Sequence, residues 1–63
     1  MKVLIVDSSS AIISRLKELL EELDTIKNIY DATKCKNAIA LVKKHKPDIV
    51  LLDINLPKNE SFD

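Results

Sequence analysis

Apolar residues are spaced in three different ways along this chain. Residues 3–6 and 49–52 are unbroken aliphatic blocks, Val3-Leu4-Ile5-Val6 and Ile49-Val50-Leu51-Leu52. Each is too short for a helix and reads as a strand buried on both faces, as in the middle of a parallel sheet. Between the blocks, Ile12, Leu16, Leu19, Leu20 and Leu23 recur at spacings of three and four, the buried stripe of an amphipathic helix. Arg15, Lys17, Glu18, Glu21 and Glu22 fill its wet face, where Lys17 and Glu21 can pair one turn apart. Residues 26–30 interleave apolar with polar side chains, the pattern of a half-exposed edge strand. A second helical stretch follows, with Ala38, Ile39, Leu41 and Val42 expected inward.

Punctuation fixes the boundaries. Ser8-Ser9-Ser10 offers hydroxyls that can accept from the free amides of a first helical turn. Lys43, Lys44 and Lys46 sit where cations complement a helix C-terminus, and Pro47 ends that helix by excluding helical geometry at Lys46. The expected elements are a strand over 2–7, a helix over 9–23, a strand over 26–30, a helix over 35–46 and a strand over 48–53. A polar tail over 54–63 follows. Strand, helix, strand, helix, strand with right-handed crossovers gives an α/β fold with a three-stranded parallel sheet. The first strand is expected in the middle, in the order 2-1-3, because the second has edge character.

Composition narrows the classes. The chain has 63 residues, 46% of them hydrophobic and 32% charged, the balance of one small globular domain or part of one. Ten basic and ten acidic residues cancel, which argues against a nucleic-acid footprint or a polybasic membrane anchor. The aliphatic blocks are far too short to cross a bilayer, and no secretion signal is visible. A single cysteine, Cys35, fits a reducing, cytoplasmic setting and has nothing around it to activate a thiolate. No glycine is present, so any turn needing positive φ falls to Asn, Asp, Lys or Ser.

The 2-1-3 order sets Asp7 and Asp53 side by side at the carboxyl ends of adjacent strands, where open parallel sheets keep their chemistry. Two neighbouring carboxylates need a cation or a shared proton, and a hard divalent ion such as Mg²⁺ suits carboxylate and carbonyl oxygens. An ion there could orient a phosphoryl group for attack by a carboxylate. Position alone leaves two readings open, a site or two strand-terminating solubilisers. His45, the single histidine, is expected to be a solvated residue at the helix end among lysines. With no Gly-rich phosphate loop and no Cys/His pairing, an enzyme with its own substrate is not expected.

Three stretches carry a family resemblance. Lys2-Val3-Leu4-Ile5-Val6-Asp7, Ala38-Ile39, and Lys46-Pro47-Asp48-Ile49-Val50-Leu51-Leu52-Asp53-Ile54-Asn55-Leu56-Pro57 resemble, in register, the receiver domain of two-component response regulators. The resemblance implies a flavodoxin-like fold, truncated after its third strand. It implies that Asp53 accepts a phosphoryl group from a histidine kinase or phosphotransfer protein. It also implies that Asp7, Asp53 and the main-chain carbonyl of Asn55 bind Mg²⁺. Ser8 stands where receivers usually carry a second acid, so it is a neutral, weaker ligand and the ion is expected to bind weakly. Cys35 and Ser61 stand where the family commonly has glycine. The strand ends that supply the family's switch hydroxyl and lysine are not in this chain. An alternative to phosphotransfer is a binding or assembly module that self-associates through the exposed edge of its third strand.

Overall fold

The computed structural model describes residues 1–53. Its elements are β1 (Lys2–Val6), α1 (Ser10–Glu21), β2 (Asn28–Ala32), α2 (Cys35–His45) and β3 (Ile49–Leu52). All strands are parallel, in the order β2-β1-β3, as the hydrophobic pattern indicates. The sheet is the middle of three layers because β1 is aliphatic on both of its faces. Leu4 and Val6 pack with Ala32 and Ala38, flanked by Tyr30 and Leu41. Val3 and Ile5 point the other way, onto Ile13, Leu16, Leu20, Ile26 and Ile29. The whole aliphatic run of β1 is buried. β3 matches it in sequence but lies at the sheet edge, and its four side chains are 37% to 45% exposed.

Both crossovers are closed by local chemistry. Ser9 is the N-cap of α1, its hydroxyl accepting from the Ile12 amide at 3.3 Å. α2 ends at Lys46, whose φ of 49° and ψ of 64° are left-handed, with its N–H donating to the Val42 carbonyl at 2.9 Å. A lysine takes the conformation that glycine usually supplies, at a cost of roughly 1 kcal/mol. Asp48 then fastens the start of β3 to the start of β1. Its amide donates to the Lys2 carbonyl and its carboxylate accepts from the Lys2 amide, both at 2.8 Å.

Several sequence expectations shift. β2 lies two residues later than 26–30, and α1 stops at Glu21 rather than 23. The reason is a compact turn in which Leu23 donates to the Leu20 carbonyl, Ile26 to Leu23, and Lys27 to Met1. Ile26 reaches the core from this turn rather than from a strand. The core-facing stripe of α1 is the buried Ile13 with half-buried Leu16 and Leu20, while Ile12, Leu19 and Leu23 are about half exposed. On α2, Cys35 and Ala38 are buried and Leu41 is half-buried, but Ile39 and Val42 are exposed. A three-stranded sheet is too narrow to cover both apolar flanks of each helix. Lys17 forms its ion pair with Asp31 of β2 rather than with Glu21, tying α1 to the sheet edge. His45 is half-buried and stacked on Tyr30, with ring centroids 4.2 Å apart, instead of standing free in solvent. The expected tail over 54–63 lies outside the described residues.

Replacing Asp48 by alanine should lower stability by about 1 kcal/mol in urea unfolding, since a charged acceptor is lost at an exposed site. Asp48→Asn keeps an acceptor oxygen and should lose less.

Candidate functional site

The register fixes the site. Val6 pairs with Leu52, so the next residues, Asp7 and Asp53, leave the sheet from adjacent strand ends. Each is anchored through its backbone. The Asp7 amide donates to the Ala32 carbonyl at 3.1 Å, and the Asp53 amide to the Val6 carbonyl at 2.9 Å. Both side chains are half-buried and both line one open concavity of about 170 Å³. Ile5, Val6, Leu16, Leu51 and Leu52 form its apolar walls. A low-dielectric wall beside two carboxylates strengthens their attraction for a cation.

One oxygen of Asp7 is already engaged. Its Oδ1 accepts from the Ser9 amide at 2.9 Å, immediately before the turn into α1. This leaves Oδ2 as the oxygen with more freedom to meet an ion. Ser8 is exposed beside it and offers a hydroxyl where a third carboxylate would add charge. Among the described residues no three His, Cys, Asp or Glu side chains come together as a metal cluster. The charged donors that line the concavity are the two carboxylates, all oxygen. Such a set fits a hard cation that keeps several waters and does not fit zinc or another thiophilic metal. Asn55 lies outside the described residues.

The sequence reading identified both aspartates, and the structure brings them to one concavity. It missed the Ser9 amide that orients Asp7 and the wall made by Leu16 and Leu51. The serine run was the available signal, since a hydroxyl N-cap places its own amide within reach of an acid two residues earlier. His45 and the basic end of α2 take no part in lining the concavity.

Comparison with known proteins adds a family. The sequence profile described as response regulator receiver domain matches residues 3–62. The chain is 36% identical over 61 residues to the transcriptional regulatory protein YvrH of Bacillus subtilis, covering 97% of this chain and 25% of that protein. It is 38% identical over 63 residues to the sensory transduction protein LytT of Bacillus anthracis, covering 100% of this chain and 26% of that protein. It is also 39% identical over 56 residues to protein-glutamate methylesterase/protein-glutamine glutaminase 2 of Photobacterium profundum, covering 89% of this chain and 14% of that protein. The chain thus spans about a quarter or less of the length of these relatives. No solved structure matches it.

Ser9→Ala removes the hydroxyl cap of α1 but keeps the amide that holds Asp7. It should cost about 1 kcal/mol in urea unfolding. Ser9→Thr, which retains the cap, should cost less.

Proposed function

We propose that this chain, which belongs to the response regulator receiver domain family, accepts a phosphoryl group on Asp53. The observation that carries the reading is the pairing of Asp7 and Asp53 at neighbouring strand ends above one concavity. A carboxylate oxygen of Asp53 attacks the phosphorus of a phosphohistidine on a kinase or phosphotransfer partner. The P–O bond forms, the P–N bond breaks, and the imidazole nitrogen leaves with the electron pair and takes up a proton. Asp7, Asp53, the Asn55 carbonyl and, weakly, the Ser8 hydroxyl are the groups that would hold Mg²⁺. Bound there, Mg²⁺ supplies positive charge that offsets the repulsion between carboxylate and phosphoryl oxygens.

This chain's own residues supply position. The Val6 carbonyl holds the Asp53 backbone and the Ser9 amide holds Asp7, so both carboxylates meet the incoming group with little reorganisation. The role is that of a phosphoacceptor, and the methylesterase of the Photobacterium relative belongs to that longer protein. Among the described residues no helix is long and apolar enough to cross a membrane. The single, buried cysteine is what supports a cytoplasmic setting.

A second reading is favoured by the edge position and exposure of β3. Its outer edge meets no further strand among the described residues, and that edge and its apolar side chains support self-association, without phosphotransfer.

Incubation with a small phosphodonor and Mg²⁺ should add one acid-labile phosphate, seen by intact mass and abolished by Asp53→Asn. An unchanged mass in the folded chain would contradict the phosphoacceptor reading. Ser8→Asp should tighten Mg²⁺ roughly tenfold by direct titration, because a third carboxylate joins the donor set.

A further inference from the structure

The two helical layers carry opposite charge, which the neutral total of the chain conceals. Residues 34–46 hold Lys34, Lys36, Lys43, Lys44 and Lys46, five of the ten basic residues, and no acidic one. Residues 18–24 hold Glu18, Glu21, Glu22 and Asp24, and no basic one. All nine side chains are exposed. α2 covers the Leu4 and Val6 face of the sheet and α1 the Val3 and Ile5 face, so the two runs lie on opposite sides of the molecule. A whole sheet between them exceeds the Debye length of about 8 Å at physiological salt, so each run meets a partner with its own charge unbalanced.

The fold does not account for this placement. Negative charge is disfavoured at a helix C-terminus, yet Glu21 is the last residue of α1 and Glu22 its C-cap, with no basic residue in that turn. Positive charge is disfavoured at a helix N-terminus. Even so, Lys34 is the N-cap of α2 without a side-chain capping bond, Lys36 follows in the first turn, and no acid is there. Only the lysines at the far end of α2 suit its dipole. None of the nine takes part in an ion pair among the described residues. Lys36, Lys43 and Lys44 lie on the outward row opposite the core residue Ala38 and half-buried Leu41. Glu18 and Glu22 lie on the outward row opposite Ile13 and Leu20. Their exposure therefore does not depend on what stands beside either helix in its layer.

We propose that the basic outer row of α2 is a docking surface for the acidic run at the end of α1 in a second copy of this chain. The two faces are complementary in charge, and docking gives each run the counter-charge that its own helix lacks. The surfaces differ and lie on opposite sides, so the contact is head-to-tail and propagates instead of closing at a dimer. Exposed ion pairs are individually weak, so several must act together and the association is roughly millimolar at low salt. It does not rest on the phosphoacceptor reading, and it uses neither the concavity nor the β3 edge.

Sedimentation and amide spectra of the ¹⁵N-labelled full chain test this over roughly 50 µM to 2 mM protein, the range in which a weak complex dissociates. The salt is held at about 10 mM, where the Debye length is roughly 30 Å. In the wild type the mass should rise with concentration while Glu18, Glu22, Lys36, Lys43 and Lys44 shift along one curve. Raising the salt to about 0.5 M should abolish both effects. Lys43→Glu with Lys44→Glu cancels most of the charge of one face, and Glu21→Lys with Glu22→Lys cancels that of the other. All four positions are exposed, so circular dichroism should be unchanged. Each double variant alone should associate at least about tenfold more weakly. An equimolar mixture should recover near wild-type affinity yet stop at a dimer, because it offers one intact basic face and one intact acidic run. A wild type monomeric throughout would overturn the proposal. So would association that survives high salt or either double variant, or a mixture that stays monomeric. Association lost in folded Val50→Lys but kept in both double variants would move the contact to the β3 edge and overturn it here.

Discussion

Everything here depends on hydrogen bonding along both edges of β1. Its backbone pairs with β2 on one side and β3 on the other, and its side chains feed both apolar layers. A strand in that position must be aliphatic at every residue, which is the composition of residues 3–6. The same pairing that buries β1 carries the first residue beyond it, Asp7, to the level of Asp53. Core and site are therefore one constraint. A slip of β1 against β3 would expose its core residues and separate the two carboxylates at the same time.

In the proposed site the expected departure from the receiver pattern is one of charge, at Ser8. The two aspartates are fixed through backbone bonds to Ala32 and Val6, and Asp7 is further fixed by the Ser9 amide. Ser8 supplies a hydroxyl in place of a second acid. On the proposed reading, a hydroxyl there leaves less negative charge than a second acid would, which would weaken the pull on a cation. Ser9 consequently has two roles, since the residue whose amide holds Asp7 also begins α1.

How much was legible follows the physics of each element. The strand order and the pairing of Asp7 with Asp53 could be read, because continuous aliphatic runs have few alternatives to a central parallel strand. The face of α1 could not. Ile12, Ile13, Leu16, Leu19, Leu20 and Leu23 make an apolar arc wider than one helix–sheet contact needs, so periodicity alone does not say which part of the arc is buried. The structure settles on Ile13 and Leu20, with Leu16 at the boundary. β2 was misplaced for a related reason. Ile26 is apolar and packs on the core, yet it is held by a turn, and contact with the core does not distinguish a strand residue from a turn residue. Long-range polar contacts, such as Asp48 with Lys2 and Lys17 with Asp31, have no local signature and emerge only when the elements assemble. The stacking of His45 on Tyr30 is of the same kind.

If β1 holds Asp7 and Asp53 as one oxygen site for a hard cation, as proposed, the two strand ends should respond to that ion together. Mg²⁺ titration followed by the backbone amide signals of the ¹⁵N-labelled chain addresses it residue by residue. Asp7, Ser8, Ser9 and Asp53 should shift together along one binding curve, while Asp31 and Asp48 stay still. Shifts scattered over all the acidic residues, or none at the ends of β1 and β3, would contradict it.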